Sequence, residues 1–236
     1  MADAADARQP RPLAVDAVLF DLDGTLVDTA PDLVRAVNRV RRDRGLAPLP
    51  FAELRPYASH GARGLLAAGM AVTPADADYA ALRDAFLAHY AAALCIESAM
   101  FDEMERLLAA IELRAMPWGI VTNKATRFTA PLLDSLGLSE RAATVVCGDT
   151  TPHAKPHPAP LLHAAAELWV APARCVYVGD AQRDIEAGIA AGMHTIVARY
   201  GYIQPDELPD TWPADGHITD PVALIAWLPE RAARRP

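Results

Sequence analysis

The stretch Phe20-Asp21-Leu22-Asp23-Gly24-Thr25-Leu26-Val27-Asp28-Thr29 closes an apolar run, Val15–Phe20, and turns at once to acid. A hydrophobic strand here delivers two aspartates, one residue apart, at its carboxyl end. Carboxylates that close repel unless a cation or a proton lies between them. The stretch is either a solvated turn or a site that uses the charge.

Three more runs share this character, Trp118–Val121, Thr144–Cys147 and Cys175–Val178, with a weaker fifth at His194–Ala198. Val- and Ile-rich runs separated by helical patterns predict an α/β fold, a Rossmann-like parallel sheet covered on both faces. Each run ends in chemistry: Asp21 after the first, Thr122-Asn123 after the second, Gly148-Asp149 and Gly179-Asp180 after the next two. In a parallel sheet these ends share one edge, where open α/β sheets bind ligands. Asp149 is read as structural.

Residues 29–98 carry helical stripes and no strand run, too long a stretch for an ordinary strand-to-helix connection. They predict a small all-helical domain inserted after the first strand. Residues 15–28 and 99–236 are then the α/β core, and 1–14 a flexible N-terminal tail. The crossings near Asp28–Ala30 and Glu97–Phe101 would be hinges. Thr29-Ala-Pro-Asp32 reads as a capping-box variant ahead of Leu33, Val37 and Val40, with Gly45 as the stop. Thr73-Pro-Ala-Asp76 repeats the device before Tyr79, Leu82, Phe86, Tyr90 and Leu94, and Asp220-Pro221 opens the last helix. Gln204–Pro213 reads as a loop and Arg231–Pro236 as a frayed tail.

The chain of 236 residues is 52% hydrophobic, enough for one large domain or a core domain plus a smaller one. A net charge of −8 argues against nucleic-acid partners, and a small anionic substrate then needs local cations or a metal. Cys95, Cys147 and Cys175 lack metal-ligand spacing and read as buried reduced thiols. Met1–Pro12 has no apolar stretch, and no run reaches the ~18 apolar residues of a membrane span. A cytoplasmic protein with no membrane partner is expected; monomer and homodimer both stay open. Neither common glycine-rich phosphate loop is present. An EF-hand is excluded because Asp21-Leu-Asp-Gly lacks the later acidic positions. His153, His157 and His163 are not read as a zinc site, since two of them flank prolines in a loop.

Asp21-Leu22-Asp23-Gly24-Thr25, Thr122-Asn123, Lys155 in "HAKPHP", and Gly179-Asp180 with Asp184 in "GDAQRD" together resemble the haloacid dehalogenase-like phosphatases. All four motifs stand in that family's order and spacing, and the helical block resembles its cap. The resemblance implies Asp21 as nucleophile, Asp23 as general acid and base, Thr122 as a phosphoryl hydrogen-bond donor and Lys155 as a fixed charge that keeps Asp21 ionised. It implies Mg²⁺ bound by Asp21, Asp180 and the main-chain carbonyl of Asp23, with Asp184 behind them, orienting metal-bound water or Lys155. Substrate contacts are expected from Asn123, Lys124 and the segment "SHGARGLLAAGM", which places His60 and Arg63 near a helix start; Arg63 can hold a carboxylate bidentately. The chain looks most like the phosphoglycolate phosphatase group. "GAR", Trp118–Phe128 and Arg199–Asp215 are similar to the branch acting on N-acetylmuramic acid 6-phosphate in cell-wall recycling. A small carboxylated phosphomonoester is the implied substrate. A phosphosugar mutase is the alternative reaction, and a phosphorylatable receiver-like module the alternative from another class.

Overall fold

The computed structural model describes residues 10–230; the expected tail at Arg231–Pro236 and most of the expected N-terminal tail lie outside them. The strands are β1 (Ala17–Phe20), β2 (Val27–Asp28), β3 (Ala99–Met100), β4 (Trp118–Val121), β5 (Thr144–Val146), β6 (Cys175–Gly179), β7 (His194–Ala198) and β8 (Gly216–Ile218). Six form one parallel sheet in the order β5-β4-β1-β6-β7-β8. The acid-tipped strand is thus central, between β4 and β6. Phe20 lies opposite both Ile120 and Val178, so Asp21, Thr122 and Asp180 leave the sheet within one or two residues of the same level.

The sheet is wet on neither face. Val18 and Phe20 of β1 join Trp118, Ile120, Val176 and Val178 in a core closed by α5 (Met104–Glu112), α6 (Thr126–Ser135) and a 3₁₀ turn at Pro221–Trp227. The alternate residues Ala17 and Leu19 join Cys175 and Tyr177 on the other face, under α7 (Ala159–Glu167) and α8 (Gln182–Ala190). This two-residue alternation with both sides apolar explains why the strands read as unbroken hydrophobic runs.

Between β2 and β3 lie only helices: α1 (Ala30–Asp43), α2 (Phe51–Leu54), a 3₁₀ segment at Arg55–His60, α3 (Gly61–Met70) and α4 (Tyr79–Ala92). Leu33, Val37, Val40, Leu54, Leu65, Leu66, Leu82, Phe86 and Tyr90 form their shared core, which also takes in Phe128 and Tyr202 from the α/β part.

Several local expectations give way to tertiary partners. The two crossings pair with each other as an antiparallel ribbon, Val27 opposite Met100 and Asp28 opposite Ala99. Thr29 makes no cap hydrogen bond; its hydroxyl goes to Asp23. The buried Asp32 pairs with Arg35 of its own helix and also accepts from the N–H groups of Ile96, Glu97 and Ser98 and from the Ser98 hydroxyl, fastening the second crossing to the first. Asp76 accepts from the Thr73 N–H and hydroxyl, but the helix starts only at Tyr79. Asp220 does cap its turn, through the Ala223 N–H at 2.9 Å, and that turn is 3₁₀ rather than α. Within the stretch expected as tail, the Leu13 N–H reaches the Trp227 carbonyl at 2.7 Å. The short edge strand β8 has no counterpart in the expected runs.

Candidate active site

β1 ends at Phe20, and the next carboxylate, Asp21, is buried. Its Oδ1 accepts from the Leu22 N–H at 2.7 Å and from Lys155 Nζ at 2.9 Å. Lys155 is buried too, and its ammonium also reaches Asp184 Oδ1 (2.8 Å), the Val121 carbonyl (2.9 Å) and the Tyr177 hydroxyl (2.6 Å). The lysine is therefore a fixed charge rather than a mobile arm. Asn123 explains how its loop is held: the side-chain amide donates to the Lys155 carbonyl (2.9 Å) and accepts from the Lys155 N–H (3.0 Å). The Asn123 side chain, expected to touch substrate, thus holds the Lys155 backbone.

Asp180 is wholly buried and accepts from the Thr25 hydroxyl at 3.3 Å and the Tyr202 N–H at 2.8 Å. The β1 loop can pass this close only because residue 24 is glycine, with φ +87°. A Cβ on Gly24 would lie 2.2 Å from Asp180 Oδ2, and one on Gly201 2.2 Å from Asp180 Cβ. Gly24→Ala is expected to cost about 2–4 kcal/mol through left-handed strain plus overpacking. A denaturant midpoint equal to that of the parent protein would show that the loop has room to spare.

Carboxylate oxygens of Asp21, Asp180 and Asp184 all lie within 4.8 Å of one another, an arrangement able to hold a metal ion. Asp184, expected to stand behind the ligands, is inside this cluster. Its Oδ1 accepts from Lys155 at 2.8 Å and its Oδ2 from the Ala181 N–H at 3.0 Å. The Asp23 carboxylate lies outside the cluster. Its Oδ1 accepts from the Thr29 hydroxyl at 2.5 Å and from Lys124 Nζ at 2.8 Å.

Burial disfavours the charged forms here. It pushes Asp21 up to about 6, with Lys155 opposing and Asp184 reinforcing the rise. Burial, then the charges of Asp21 and Asp184, pushes Asp180 up to about 7. Burial acts on Asp184 as well, but Lys155 and Arg183 outweigh it and hold that carboxyl below its usual range. Lys124 is desolvated, yet the Asp23 carboxylate and Tyr90 raise it above the ordinary lysine value. His60 is held below its usual value by burial and by Arg183.

Above the acids opens a cavity of about 500 Å³. Asp21, Asp23, Thr122, Asn123 and Lys124 line its floor, and the helical block supplies Ser59, His60 and Arg63. Thr122 is buried, and its hydroxyl oxygen accepts from the Lys124 N–H at 3.1 Å. Lys124 also lies 4.6 Å from the centroid of the Tyr90 ring. Arg63 and Arg127 line the cavity as exposed side chains. Asp149 accepts from the Thr126 N–H and hydroxyl and so secures the start of α6, the structural part expected of it.

Sequence reasoning missed Tyr177, Tyr202, Arg127 and Arg183. Tyr202 links Asp180 to the first crossing: its N–H holds Asp180, while its hydroxyl donates to Asp28 (2.6 Å) and accepts from the Ala30 N–H (2.9 Å). The tyrosines sit in apolar surroundings and look like core residues. Arg183, between two aspartates at a helix start, looks like a solvated first-turn residue. Only tertiary contact distinguishes them.

Comparison with known proteins agrees with this geometry. Residues 15–192 match the family model for haloacid dehalogenase-like hydrolases. The chain is 41% identical over 213 residues to the N-acetylmuramic acid 6-phosphate phosphatase of Pseudomonas aeruginosa, covering 90% of this chain and 94% of that one. It is 44% identical over 213 residues to a phosphoglycolate phosphatase of Xanthomonas campestris, covering 90% and 95%. A crystal structure of a predicted phosphoglycolate phosphatase from Haemophilus somnus superposes with a TM-score of 0.78 at 26% identity, covering 90% and 97%.

Proposed function

The chain belongs to the haloacid dehalogenase-like hydrolases, and on that premise we propose that it is a Mg²⁺-dependent cytoplasmic phosphatase of a small, carboxylated phosphomonoester. The observation that carries this is the convergence of four separate segments on one nucleophile: Asp21 and Thr122 line the cavity, Lys155 lies 2.9 Å from Asp21, and Asp180 joins Asp21 in the acid cluster. Asp21 attacks phosphorus; its Oδ–P bond forms as the bond to the leaving oxygen breaks, giving an aspartyl-phosphate. Asp23 gives its proton to the leaving alkoxide and then takes one from the water that hydrolyses the intermediate. The incoming phosphoryl group competes with Asp23 for the Lys124 ammonium, freeing Asp23 to carry that proton. Thr122 hydrogen-bonds a phosphoryl oxygen, and Lys155 keeps Asp21 ionised.

The donor set fits magnesium: buried oxygen ligands only, two of them driven toward neutrality by burial and mutual repulsion. Bound by Asp21, Asp180 and the Asp23 carbonyl beside Asp184, the ion would supply positive charge that offsets this repulsion and polarises the phosphoryl group. The sign with pH follows from the raised carboxyls. A raised folded-state pKa means that ionisation destabilises, so without metal the penalty is full above about pH 7 and relieved as pH falls through 7 and 6. Magnesium is expected to raise Tm clearly at pH 8 and little at pH 5. Calorimetry with Mg²⁺ and with EDTA at both values checks this, and an equal shift at both would refute it.

Residues 29–98 act as the cap in this reading, with His60 and Arg63 facing the substrate's second anionic group. The cavity is much larger than a two-carbon phosphate needs, which favours N-acetylmuramic acid 6-phosphate over phosphoglycolate. Phosphate release from the two compounds, measured side by side with Mg²⁺ and with EDTA, tests the proposal. Release from neither, or release indifferent to EDTA, would sink it.

A further inference from the structure

Arg183 follows Asp180 by three residues and precedes Asp184, so its guanidinium sits in the field of the acid cluster. Such a group ordinarily pairs with a carboxylate. Among the described residues it makes no ion pair, because Lys155 already holds Asp21 and Asp184. Its Nη2 instead crosses to the helical block, donating to the Ser59 carbonyl at 2.7 Å and the Ser59 hydroxyl at 2.9 Å. Both residues line the cavity that holds Asp21. Ser59 lies near the end of the 3₁₀ segment Arg55–His60, directly before the turn that starts α3 and presents His60 and Arg63. The same segment touches the core twice more. Arg55 donates to the Tyr200 and Gly201 carbonyls at 3.2 Å each, and Gln204 lies 3.1 Å from His60 Nδ1.

We propose that Arg183 is a positioning residue that couples seating of the helical block to the state of the nucleophile. With Ser59 in place, the guanidinium is held on neutral acceptors, and the mouth of α3 is fixed over Asp21. With the block lifted, both hydrogen bonds are lost and the buried carboxylates become the charge's nearest partners. One cation therefore has two alternative sets of partners, and the arrangement free for phosphoryl transfer exists only while the block is seated. The coupling rests on the phosphatase reading for its consequence in turnover, but its structural part can be measured separately.

The experiment compares the full chain with Arg183→Gln, Arg183→Lys, Ser59→Ala and the Arg183→Gln/Ser59→Ala pair. Hydrogen exchange of the Ser59–Leu66 amides should quicken about tenfold or more in Arg183→Gln, since charge-assisted hydrogen bonds are lost. Ser59→Ala keeps the carbonyl acceptor and should have a smaller effect, and the pair should exchange no faster than Arg183→Gln alone. Turnover of a carboxylated phosphomonoester should fall in kcat by about 10- to 100-fold in Arg183→Gln, with partial rescue by Arg183→Lys. Unchanged exchange in both Arg183→Gln and Ser59→Ala, or strictly additive effects in the pair, would overturn the coupling. Exchange that responds as expected in a protein releasing no phosphate from any substrate would uphold the coupling and fail the phosphatase reading instead.

Discussion

Asp21→Asn should reduce phosphate release by about 10⁴-fold or more, because the amide cannot form the acyl-phosphate bond on which turnover depends. The loss should not come from unfolding. Burial raises Asp21 to about 6, so its charge is a liability to the metal-free fold at pH 8. An uncharged asparagine of the same shape removes that liability, and Lys155 keeps Asp184, the Val121 carbonyl and Tyr177 as partners. The variant should thus melt no lower than the parent at pH 8 in EDTA. Parallel activity and calorimetry separate the two effects. Substantial residual turnover, or a collapse in Tm accounting for the loss, would remove Asp21 from the role of nucleophile.

Lys155→Met should have the largest effect on stability. The ammonium is buried with two buried carboxylates on it, and removing it leaves both without their ion-pair partner. Breaking a buried pair from one side typically costs about 3–5 kcal/mol. The pH dependence is distinctive. Asp184 now lies below its usual range, so its stabilising share is present above that range and is lost as pH falls through its folded value. Without Lys155 the larger part of that share is lost, only Arg183 continuing to favour the Asp184 charge, and Asp21 and Asp184 both rise. The variant should therefore be much weaker than the parent at pH 8 and closer to it at pH 5. Denaturant titrations at the two values measure this; a deficit independent of pH would mean that Lys155 contributes packing rather than charge.

Legibility in the sequence followed the range of the interactions involved. The central strands were readable because a strand covered on both faces must be apolar along its length, as Ala17–Phe20 and Trp118–Val121 are. The floor of the site was readable because acids at the ends of such strands have no packing explanation. Features made by distant pairing were not readable. The ribbon of Val27–Asp28 with Ala99–Met100 joins two-residue strands some seventy positions apart. Asp32 matched a local capping pattern, yet the chain reversal at Ile96–Ser98 offers it several donors at once and wins. Arg183 and Tyr202 carry ordinary local patterns, and what sets them apart is contact with Ser59 and with Asp180 and Asp28.

The proposed chemistry turns on one event, transfer of a phosphoryl group to the carboxylate at the tip of the middle strand. Quenching the protein with borohydride during turnover of its phosphomonoester, then sequencing peptides by mass spectrometry, tests it most directly, since reduction of an aspartyl-phosphate leaves homoserine. Homoserine is expected at position 21 when substrate is present and aspartate there when it is absent. Continuing turnover with position 21 unreduced, or with the reduced residue at position 23 or elsewhere, would contradict it.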